Sequence, residues 1–257
     1  MSSHERALKD EANNVTYQRC QYAYEYVTPL IKGKNVLDVG CGLAYGTALL
    51  AESAASIKGI DYDQSTLDDN KNRYASITNL TFERVTVPPL PFADNSFEII
   101  TSFQFIEHIH HRLEFMKECY RVLKPGGKIY ITTPNTKRSL ARNPFHIHEY
   151  TFAEMKSEVE TITKNYELIG LNGNEKVRHY YHENGKFVRS ILKWDVLGIH
   201  KILPAKLVAA PYNLITSIMR NKLKDQVKDT AGITTADFAL QKDNLDDTWD
   251  IYLIISK

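Results

Sequence analysis

Apolar residues in the first half of the chain alternate between short runs of strand type and longer stretches with helical spacing. A helix is predicted first, over residues 17–30. Five runs after it have the length and the branched apolar content of buried strands, and they cover residues 36–39, 56–59, 80–85, 97–102 and 128–132. Strands that alternate with helices predict an α/β fold, in which a parallel sheet carries helices on both faces.

Two later apolar runs, over 166–171 and 249–256, predict two further strands. Between them, residues 177–230 carry apolar stripes at helical spacing that such a sheet does not require. We therefore expect one α/β domain formed by 1–176 and 231–257, and a helical cap inserted over 177–230.

A glycine-rich turn follows the first strand, in the sequence Val-Leu-Asp-Val-Gly-Cys-Gly-Leu-Ala-Tyr-Gly. Gly40 and Gly42 keep this turn free of side chains, so a ligand can lie against the backbone. A nicotinamide-dinucleotide fold requires glycine or alanine at the sixth position of Gly-x-Gly-x-x-Gly, but Tyr45 stands there. An acid, Asp38, lies two residues before the first glycine.

The Asp-x-Gly-x-Gly spacing resembles motif I of class I S-adenosylmethionine-dependent methyltransferases, in particular the ubiquinone- and menaquinone-biosynthesis-like family, methyltransferase type 11. The resemblance implies a Rossmann-like, doubly wound sheet of seven strands, of which the last is antiparallel. It also implies S-adenosyl-L-methionine as the cofactor, with Asp38, Gly40, Cys41 and Gly42 facing its amino-acid end.

A second acid, Asp61, follows the second predicted strand about 20 residues after the glycines. An acid in this place accepts hydrogen bonds from both ribose hydroxyls of a nucleotide cofactor. The alternative is a helix N-cap, a role that Asp63 fills equally well. We predict that Asp61 and the adjacent Tyr62 form the ribose site.

The stretch Leu-Pro-Phe-Ala-Asp-Asn-Ser-Phe-Glu, which ends at Glu98, resembles the segment that leads into the fourth strand in this family. The family often has an acid four residues before the leucine, where it meets the adenine amino group. Thr86 stands there in this chain, and its hydroxyl accepts a hydrogen bond without carrying charge. We therefore predict adenine contacts at Thr86 and Val87.

The segment Ser-Phe-Gln-Phe-Ile-Glu-His-Ile, which ends at Ile109, resembles the Glu-His segment of the family. Its first residues lie at the carboxyl end of a parallel strand, where open α/β sheets bind ligands. We predict that Phe103 and Gln104 border the cofactor and that Phe105 borders the acceptor.

The stretch Asn-Pro-Phe-His-Ile-His-Glu-Tyr, residues 143–150, resembles an element of the same family, many of whose members are associated with bacterial surface glycans or lipids. Loops on rigid scaffolds carry functional residues, so His146, His148 and Tyr150 are candidates for acceptor binding. The alternative is a set of hydrogen bonds that holds the loop in place. The family often has arginine at the position of His148.

A hydroxyl acceptor requires a base, and His108 and His146 are the candidates for this catalytic role. A structural Glu-His pair is the alternative for His108. Several other histidines and the acids Glu107 and Glu149 lie nearby, but their spacing matches no specific zinc signature. We therefore predict no metal site.

The N-terminal stretch Tyr-Gln-Arg, residues 17–19, resembles a family element that covers the cofactor. This implies that Tyr17 lies over the cofactor and that Arg19 pairs with the methionyl carboxylate. An exposed helix face is the alternative.

The net charge of the 257 residues is only +1, which gives no reason to expect a nucleic-acid partner. No uninterrupted apolar run of about 20 residues predicts a membrane-spanning helix. The cysteines, Cys20, Cys41 and Cys119, are widely spaced, which is typical of reduced thiols in a cytoplasmic protein.

These observations predict a methyltransferase that uses S-adenosylmethionine to methylate a small-molecule, glycan or lipid-linked acceptor. A non-catalytic cofactor-binding or interaction protein on the same fold is the alternative, because fold does not determine function. The cap over 177–230 is expected to close the acceptor pocket. Its basic amphipathic helices also suit peripheral contact with an anionic membrane, and both roles stay open.

Overall fold

The computed structural model describes residues 14–139, 143–193 and 232–257. The helices are α1 Asn14–Val27, α2 Tyr45–Ala51, α3 Gln64–Arg73, α4 Arg112–Val122, α5 Phe152–Val159 and α6 Glu175–Leu192. The strands are β1 Asn35–Val39, β2 Ser56–Asp61, β3 Leu80–Arg84, β4 Phe97–Phe103, β5 Leu123–Pro134, β6 Tyr166–Gly173, β7 Phe238–Gln241 and β8 Asp250–Ser256.

All strands belong to one sheet with the order β3-β2-β1-β4-β5-β8-β6-β7. Strands β1 to β5 are parallel to their neighbours, and β8 lies antiparallel between β5 and β6. The parallel core and the antiparallel last strand are confirmed, but the sheet has eight strands where the sequence predicted seven. The additional strand, β7, pairs antiparallel with β6 at the edge of the sheet. Its four residues are too few for a recognisable apolar alternation.

Each face of the sheet packs on its own hydrophobic core. Helices α1, α2 and α6 cover one face, where Val27, Leu50 and Val177 are buried. Helices α4 and α5 cover the other face, with Phe115 and Met155 fully buried. The parallel strands all end at one edge of the sheet. Because β8 runs in the opposite direction, its first residues lie at that same edge, with Asp250 opposite the last residue of β5.

The predicted boundary of the cap at residue 177 falls inside a helix that packs on the core. Val177 is fully buried, and the ring of Tyr180 is nearly so. The domain therefore continues at least into the first half of α6. Most of the predicted cap lies outside the described residues, in 194–231. Among the helices that are described, none has the length and apolar character needed to cross a membrane.

Helix α2 begins at Tyr45, directly after the glycine turn. Gly46, one place too late for a dinucleotide fingerprint, has a structural role instead. A Cβ on Gly46 would lie 2.2 Å from the ring of Tyr24, so this glycine allows α1 to pack closely on α2.

A buried carboxyl stands at the centre of the sheet, on β1. The two oxygens of Asp38 accept hydrogen bonds from the hydroxyls of Thr47, at 2.6 Å, and Thr101, at 2.7 Å. Burial disfavours the charged form and raises the pKa of Asp38 to about 6, although the hydroxyls that bond it act in the opposite direction. Asp38 thus connects the strand before the glycine turn to the helix after it.

We expect Gly46→Ala to lower the free energy of unfolding by about 1–3 kcal/mol, because the added methyl overlaps the buried ring of Tyr24. Helix propensity alone predicts a gain of about 1 kcal/mol. Gly185→Ala in α6 is the matched control, since its methyl meets only the mobile end of Arg189, and a gain of about 0.5–1 kcal/mol is expected. Urea denaturation measures the free energy of unfolding of both variants. Equal stabilisation of the two would contradict the close packing of Tyr24 on Gly46.

Asp38→Asn is expected to change how stability depends on pH. A carboxyl whose pKa is raised on folding contributes stability that is present below its unfolded value of 3.8 and lost as the pH rises through about 6. Asparagine does not titrate, so the stability of the variant relative to the native protein should rise by about 2 kcal/mol between about pH 4 and pH 7. Urea denaturation of both proteins at several pH values in this range measures the difference in stability. If that difference does not change with pH, burial does not raise the pKa of Asp38.

Candidate active site

The glycine turn has a backbone that few other residues can adopt. Gly40 and Gly42 have φ values of +77° and +51°, in the left-handed region. The amides of Gly40 and Cys41 donate to the carbonyl of Ile60 on β2, at 2.8 and 3.1 Å. A Cβ on Gly40 would lie 2.3 Å from the ring of Phe105. The ring of Phe105 therefore packs directly on the backbone of Gly40, whereas a Cβ on Gly42 would meet only open space.

A cavity of about 440 Å³ opens at this turn, along the carboxyl ends of β1, β2 and β4. Its lining includes seven of the predicted site residues, namely Gly40, Asp61, Tyr62, Thr86, Val87, Phe105 and His108. Apolar side chains and Phe145 from the loop at 143–150 complete the walls. The fold thus brings residues from five separate sequence segments to one cavity.

Asp61 joins the two loops that border this cavity. One of its carboxylate oxygens accepts from the amide of Gly42 at 3.1 Å, and the other accepts from the amide of Asp63 at 3.0 Å. The N-cap of α3 is Asp63, whose side chain accepts from the amides of Ser65 and Thr66. The alternative role considered for Asp61 is therefore taken by Asp63, and the carboxylate of Asp61 faces the cavity.

Four residues predicted to contact the cofactor point their side chains elsewhere. The carboxylate of Asp38 is buried among hydroxyls, and the Cys41 side chain is buried under the turn. Phe103 packs edge-on against Tyr24 in the core, at a ring distance of 4.7 Å. Tyr17 lines a different cavity, of about 480 Å³, on the outer side of α2. The side chains of Asp38 and Phe103 therefore do not line the main cavity.

The side chain of Arg19 is only 15% exposed, so it does not lie on the exposed helix face that was the alternative. Its Nε lies 3.1 Å from Asp250 Oδ2, and Nη1 donates to the hydroxyl of Tyr181 at 2.9 Å. Burial alone would lower the pKa of Arg19, but the charge of Asp250 and the bond to Tyr181 raise it above its usual value. Asp250 was not predicted as a site residue, although an acid at the start of a buried strand, at the edge where the parallel strands end, was a usable signal.

Gln104 has a left-handed backbone, with φ of +53°. Its amide donates to the carbonyl of Thr132 at 2.9 Å, and its side-chain amide donates to the hydroxyl of Thr132 at 3.3 Å. Non-glycine residues in this region cost about 1–3 kcal/mol and cluster at functional sites. The strain turns the chain at the end of β4 and directs Phe105 into the cavity.

Glu107 and His108 follow in a short helical turn. Glu107 is fully buried and accepts from the hydroxyl of Thr133 at 3.0 Å. Burial raises its pKa to about 7. The Nδ1 of His108 lies 3.1 Å from the carbonyl oxygen of Phe145, so Nδ1 carries the proton and Nε2 carries the lone pair. Burial, followed by the nearby His146, lowers the pKa of His108 to about 3, which keeps this ring neutral.

His146 lies edge-on to His108, with ring centres 4.9 Å apart. Its Nδ1 lies 2.5 Å from Glu149 Oε1, and its Nε2 lies 2.9 Å from the Asn143 side-chain nitrogen. The Asn143 oxygen accepts from the amide of Phe145, so the nitrogen side of that amide faces His146. Both ring nitrogens of His146 are therefore engaged, and the ring can act as a base only if Asn143 moves.

Tyr150 is a core residue, which corrects its prediction as an acceptor-binding residue. Its side chain is completely buried, and its hydroxyl donates to Glu158 at 2.6 Å and accepts from Arg112 at 3.2 Å. His148 packs edge-on against this ring at 4.9 Å, with Nε2 4.0 Å from Glu154. His148 thus supports the loop on α5 and does not line the cavity, in line with the loop-holding alternative.

Comparison with known proteins identifies the domain. Residues 37–131 match a family model described as a methyltransferase domain. A "Probable S-adenosylmethionine-dependent methyltransferase" of Mycolicibacterium smegmatis is 34% identical over 153 residues, which are 58% of this chain and 58% of that protein. A ubiquinone biosynthesis O-methyltransferase of Coxiella burnetii is 33% identical over 118 residues, which are 46% of this chain and 50% of that protein. The chain thus spans little more than half the length of these relatives.

Solved structures share the fold at lower identity. The [4+2]-cyclase SpnF superimposes with a TM-score of 0.60 at 18% identity, covering 99% of this chain and 85% of that one. The YcgJ protein of Bacillus subtilis gives 0.56 at 18% identity, covering 92% of this chain and 98% of that one. Identities this low show the fold alone. With the glycine turn and the acid after β2, the match over residues 37–131 shows a methyltransferase domain of the class I, S-adenosylmethionine-dependent type in that part of the chain.

Proposed function

We propose that this protein transfers a methyl group from S-adenosylmethionine to a hydroxyl on a small-molecule, glycan or lipid-linked acceptor. The observation that carries the proposal is the single cavity that contains the bare turn at Gly40, the carboxylate of Asp61 and the ring of His108. The first two features suit the cofactor, and the third lies where an acceptor would approach. A relative at 33% identity is named as an O-methyltransferase, which supports oxygen as the acceptor atom.

The residues present fit the cofactor. Gly40 lines the cavity without a side chain, and the Asp61 carboxylate stands at the end of β2, where it can accept from ribose hydroxyls. The hydroxyl of Thr86 and the apolar side chain of Val87 line the part of the cavity that suits an adenine ring. When bound, S-adenosylmethionine supplies a methyl group on a sulfonium, which is already strongly electrophilic.

The chain contributes mainly positioning, because an activated methyl group needs an aligned acceptor more than it needs acid or base chemistry. The neutral ring of His108 offers the lone pair of Nε2 for a hydrogen bond from an acceptor hydroxyl, with the other nitrogen fixed by Phe145. Its low pKa makes it a weak base, so it orients the hydroxyl and takes the proton late in the transfer.

The cap is proposed to begin beyond the buried part of α6 and to close the acceptor side. The ring of Tyr181 on α6 stacks on Trp249 at 3.9 Å and accepts a hydrogen bond from Arg19, so α6 is anchored at the ligand edge. A segment anchored there can exclude water from the acceptor.

Asp61→Ala should weaken binding of S-adenosylmethionine by about 1.5–3 kcal/mol, because a carboxylate that accepts from two ribose hydroxyls is lost. Calorimetry measures the affinity. The matched control is Asp63→Ala, which removes the cap of α3 and lowers stability by about 1 kcal/mol but should leave the affinity unchanged. Equal affinities for Asp61→Ala and the native protein would rule out the ribose assignment.

His108→Ala should lower turnover on a hydroxyl acceptor by about tenfold to a hundredfold, less than for a strong general base. Release of S-adenosylhomocysteine across a panel of acceptors measures it, and His110→Ala, at an exposed position, is the control. If the native protein binds the cofactor but no acceptor in a broad panel yields product, the result favours a non-catalytic cofactor-binding protein over a methyltransferase.

Replacing residues 194–231 with a flexible linker should leave cofactor affinity within about twofold and lower turnover more than about tenfold, as expected when a lid is lost. Full turnover by the folded, shortened protein would contradict the cap proposal. Co-sedimentation of the full chain with anionic liposomes would then test the membrane alternative.

A further inference from the structure

Three side chains with metal-binding chemistry converge where the Glu107–His108 turn meets the loop at 143–150. Glu107, His108 and His146 each offer one ligand atom, and these atoms lie within 4.8 Å of one another. The carbonyl of Glu107 accepts from the amides of Ile147, at 2.7 Å, and His148, at 3.2 Å, which fastens the loop to the turn. Backbone hydrogen bonds therefore help to hold the three side chains close together.

Both histidines are held in the orientation that metal-binding histidines require. His108 donates from Nδ1 to the carbonyl of Phe145 at 3.1 Å, and His146 donates from Nδ1 to the carboxylate of Glu149 at 2.5 Å. The Nε2 of His108 then carries a lone pair toward the cluster, and the Nε2 of His146 accepts from the Asn143 amide at 2.9 Å. A ligand histidine almost always donates its other nitrogen to a carbonyl or a carboxylate in this way, because the bond fixes the ring and increases its basicity.

The third group is the buried carboxylate of Glu107, which accepts hydrogen bonds from the hydroxyl of Thr133 and from the backbone of its own turn. Glu107 Oε2 accepts from Thr133, while Oε1 lies 4.0 Å from His108 Nε2. Within the described ranges, no lysine or arginine lies within ion-pair distance of Glu107, and the nearby Arg19 is paired with Asp250. His146 is the one cationic group beside Glu107 in the described part of the chain, and a buried carboxylate with so little compensation is costly, a cost that a bound cation removes.

We propose that Glu107, His108 and His146 bind a divalent transition metal ion of the zinc class, through one carboxylate oxygen and two Nε2 atoms. Two histidines and one glutamate form a donor set of catalytic zinc sites, which keep further positions open. Bonds of about 2.1 Å place donor atoms roughly 3.4 Å apart, so the three groups close by about 1 Å on binding. The Asn143 amide, now 2.9 Å from His146 Nε2, gives way to the ion.

The ion would stand at the wall of the cofactor cavity, because His108 lines that cavity. An acceptor hydroxyl bound at an open position of the ion would have a lowered pKa, and the ion would then activate the acceptor in place of the weakly basic His108. This last step rests on the proposed function, whereas the binding of the ion does not. The proposed metal site differs from the prediction made from residue spacing, which was that the chain has no metal site.

Titration of the untagged, EDTA-treated full chain with Co²⁺, followed by visible absorption, tests the proposal. One Co²⁺ should bind per chain, with an absorption spectrum typical of Co²⁺ at low coordination number. Added Zn²⁺ should displace it. Glu107→Gln and His146→Ala should weaken binding about a hundredfold or more. His148→Ala is the matched control, because that ring lies on the same loop but packs on Tyr150, and it should bind as the native chain does.

Asn143→Asp distinguishes a metal site from a hydrogen-bonded loop. Aspartate keeps the oxygen that accepts from Phe145 and replaces the competing amide with an anionic oxygen, so Co²⁺ binding should strengthen about tenfold. Circular dichroism and calorimetry with S-adenosylhomocysteine, in the same samples, show that each variant is folded. The proposal is overturned if the native chain binds less than one Co²⁺, or if Glu107→Gln and His146→Ala bind Co²⁺ as tightly as the native chain does. Either result counts against the site even when S-adenosylhomocysteine binds. Loss of S-adenosylhomocysteine binding by the native chain would instead overturn the proposed function.

Discussion

The hydrogen bonds of the Asp61 carboxylate hold together the two loops on which the cavity depends. One oxygen fixes the amide of Gly42 in the turn after β1, and the other fixes the amide of Asp63 at the start of α3. Both loops follow adjacent parallel strands, so their relative position decides the shape of the cavity. The same carboxylate keeps lone pairs for ligand hydroxyls, because each oxygen can accept more than one hydrogen bond. A single side chain thus organises the protein backbone and offers the contact for the ribose.

Much of the sheet could be predicted from the sequence because its central strands are buried on both faces. Their apolar, branched residues form continuous runs, and the turns between them carry glycine, asparagine and proline. β7 was missed because four residues at a sheet edge carry no such run. The role of Gly46 could not be predicted for a similar reason, since it comes from Tyr24, a residue on a different helix that only the fold brings close.

Residues predicted at the glycine turn and after β2 line the cavity more often than those predicted on the loop at 143–150. Gly40 and Asp61 act through the backbone geometry of a local turn, which a short motif can specify. Tyr150 and Arg19 depend on partners distant in sequence, namely Glu158, Arg112 and Asp250, so their burial could not be read from the loop or helix alone. The histidines near the acceptor side likewise gave no recognisable spacing, because the three metal-binding groups come from two segments that meet only in the folded chain.

A crystal structure of the full chain with S-adenosylhomocysteine tests the central claim most directly. The account predicts that both ribose hydroxyls lie within hydrogen-bonding distance of the Asp61 carboxylate, and that the amino-acid end of the ligand crosses the bare backbone at Gly40. A ligand bound outside this cavity, or a ribose that contacts neither oxygen of Asp61, would contradict it.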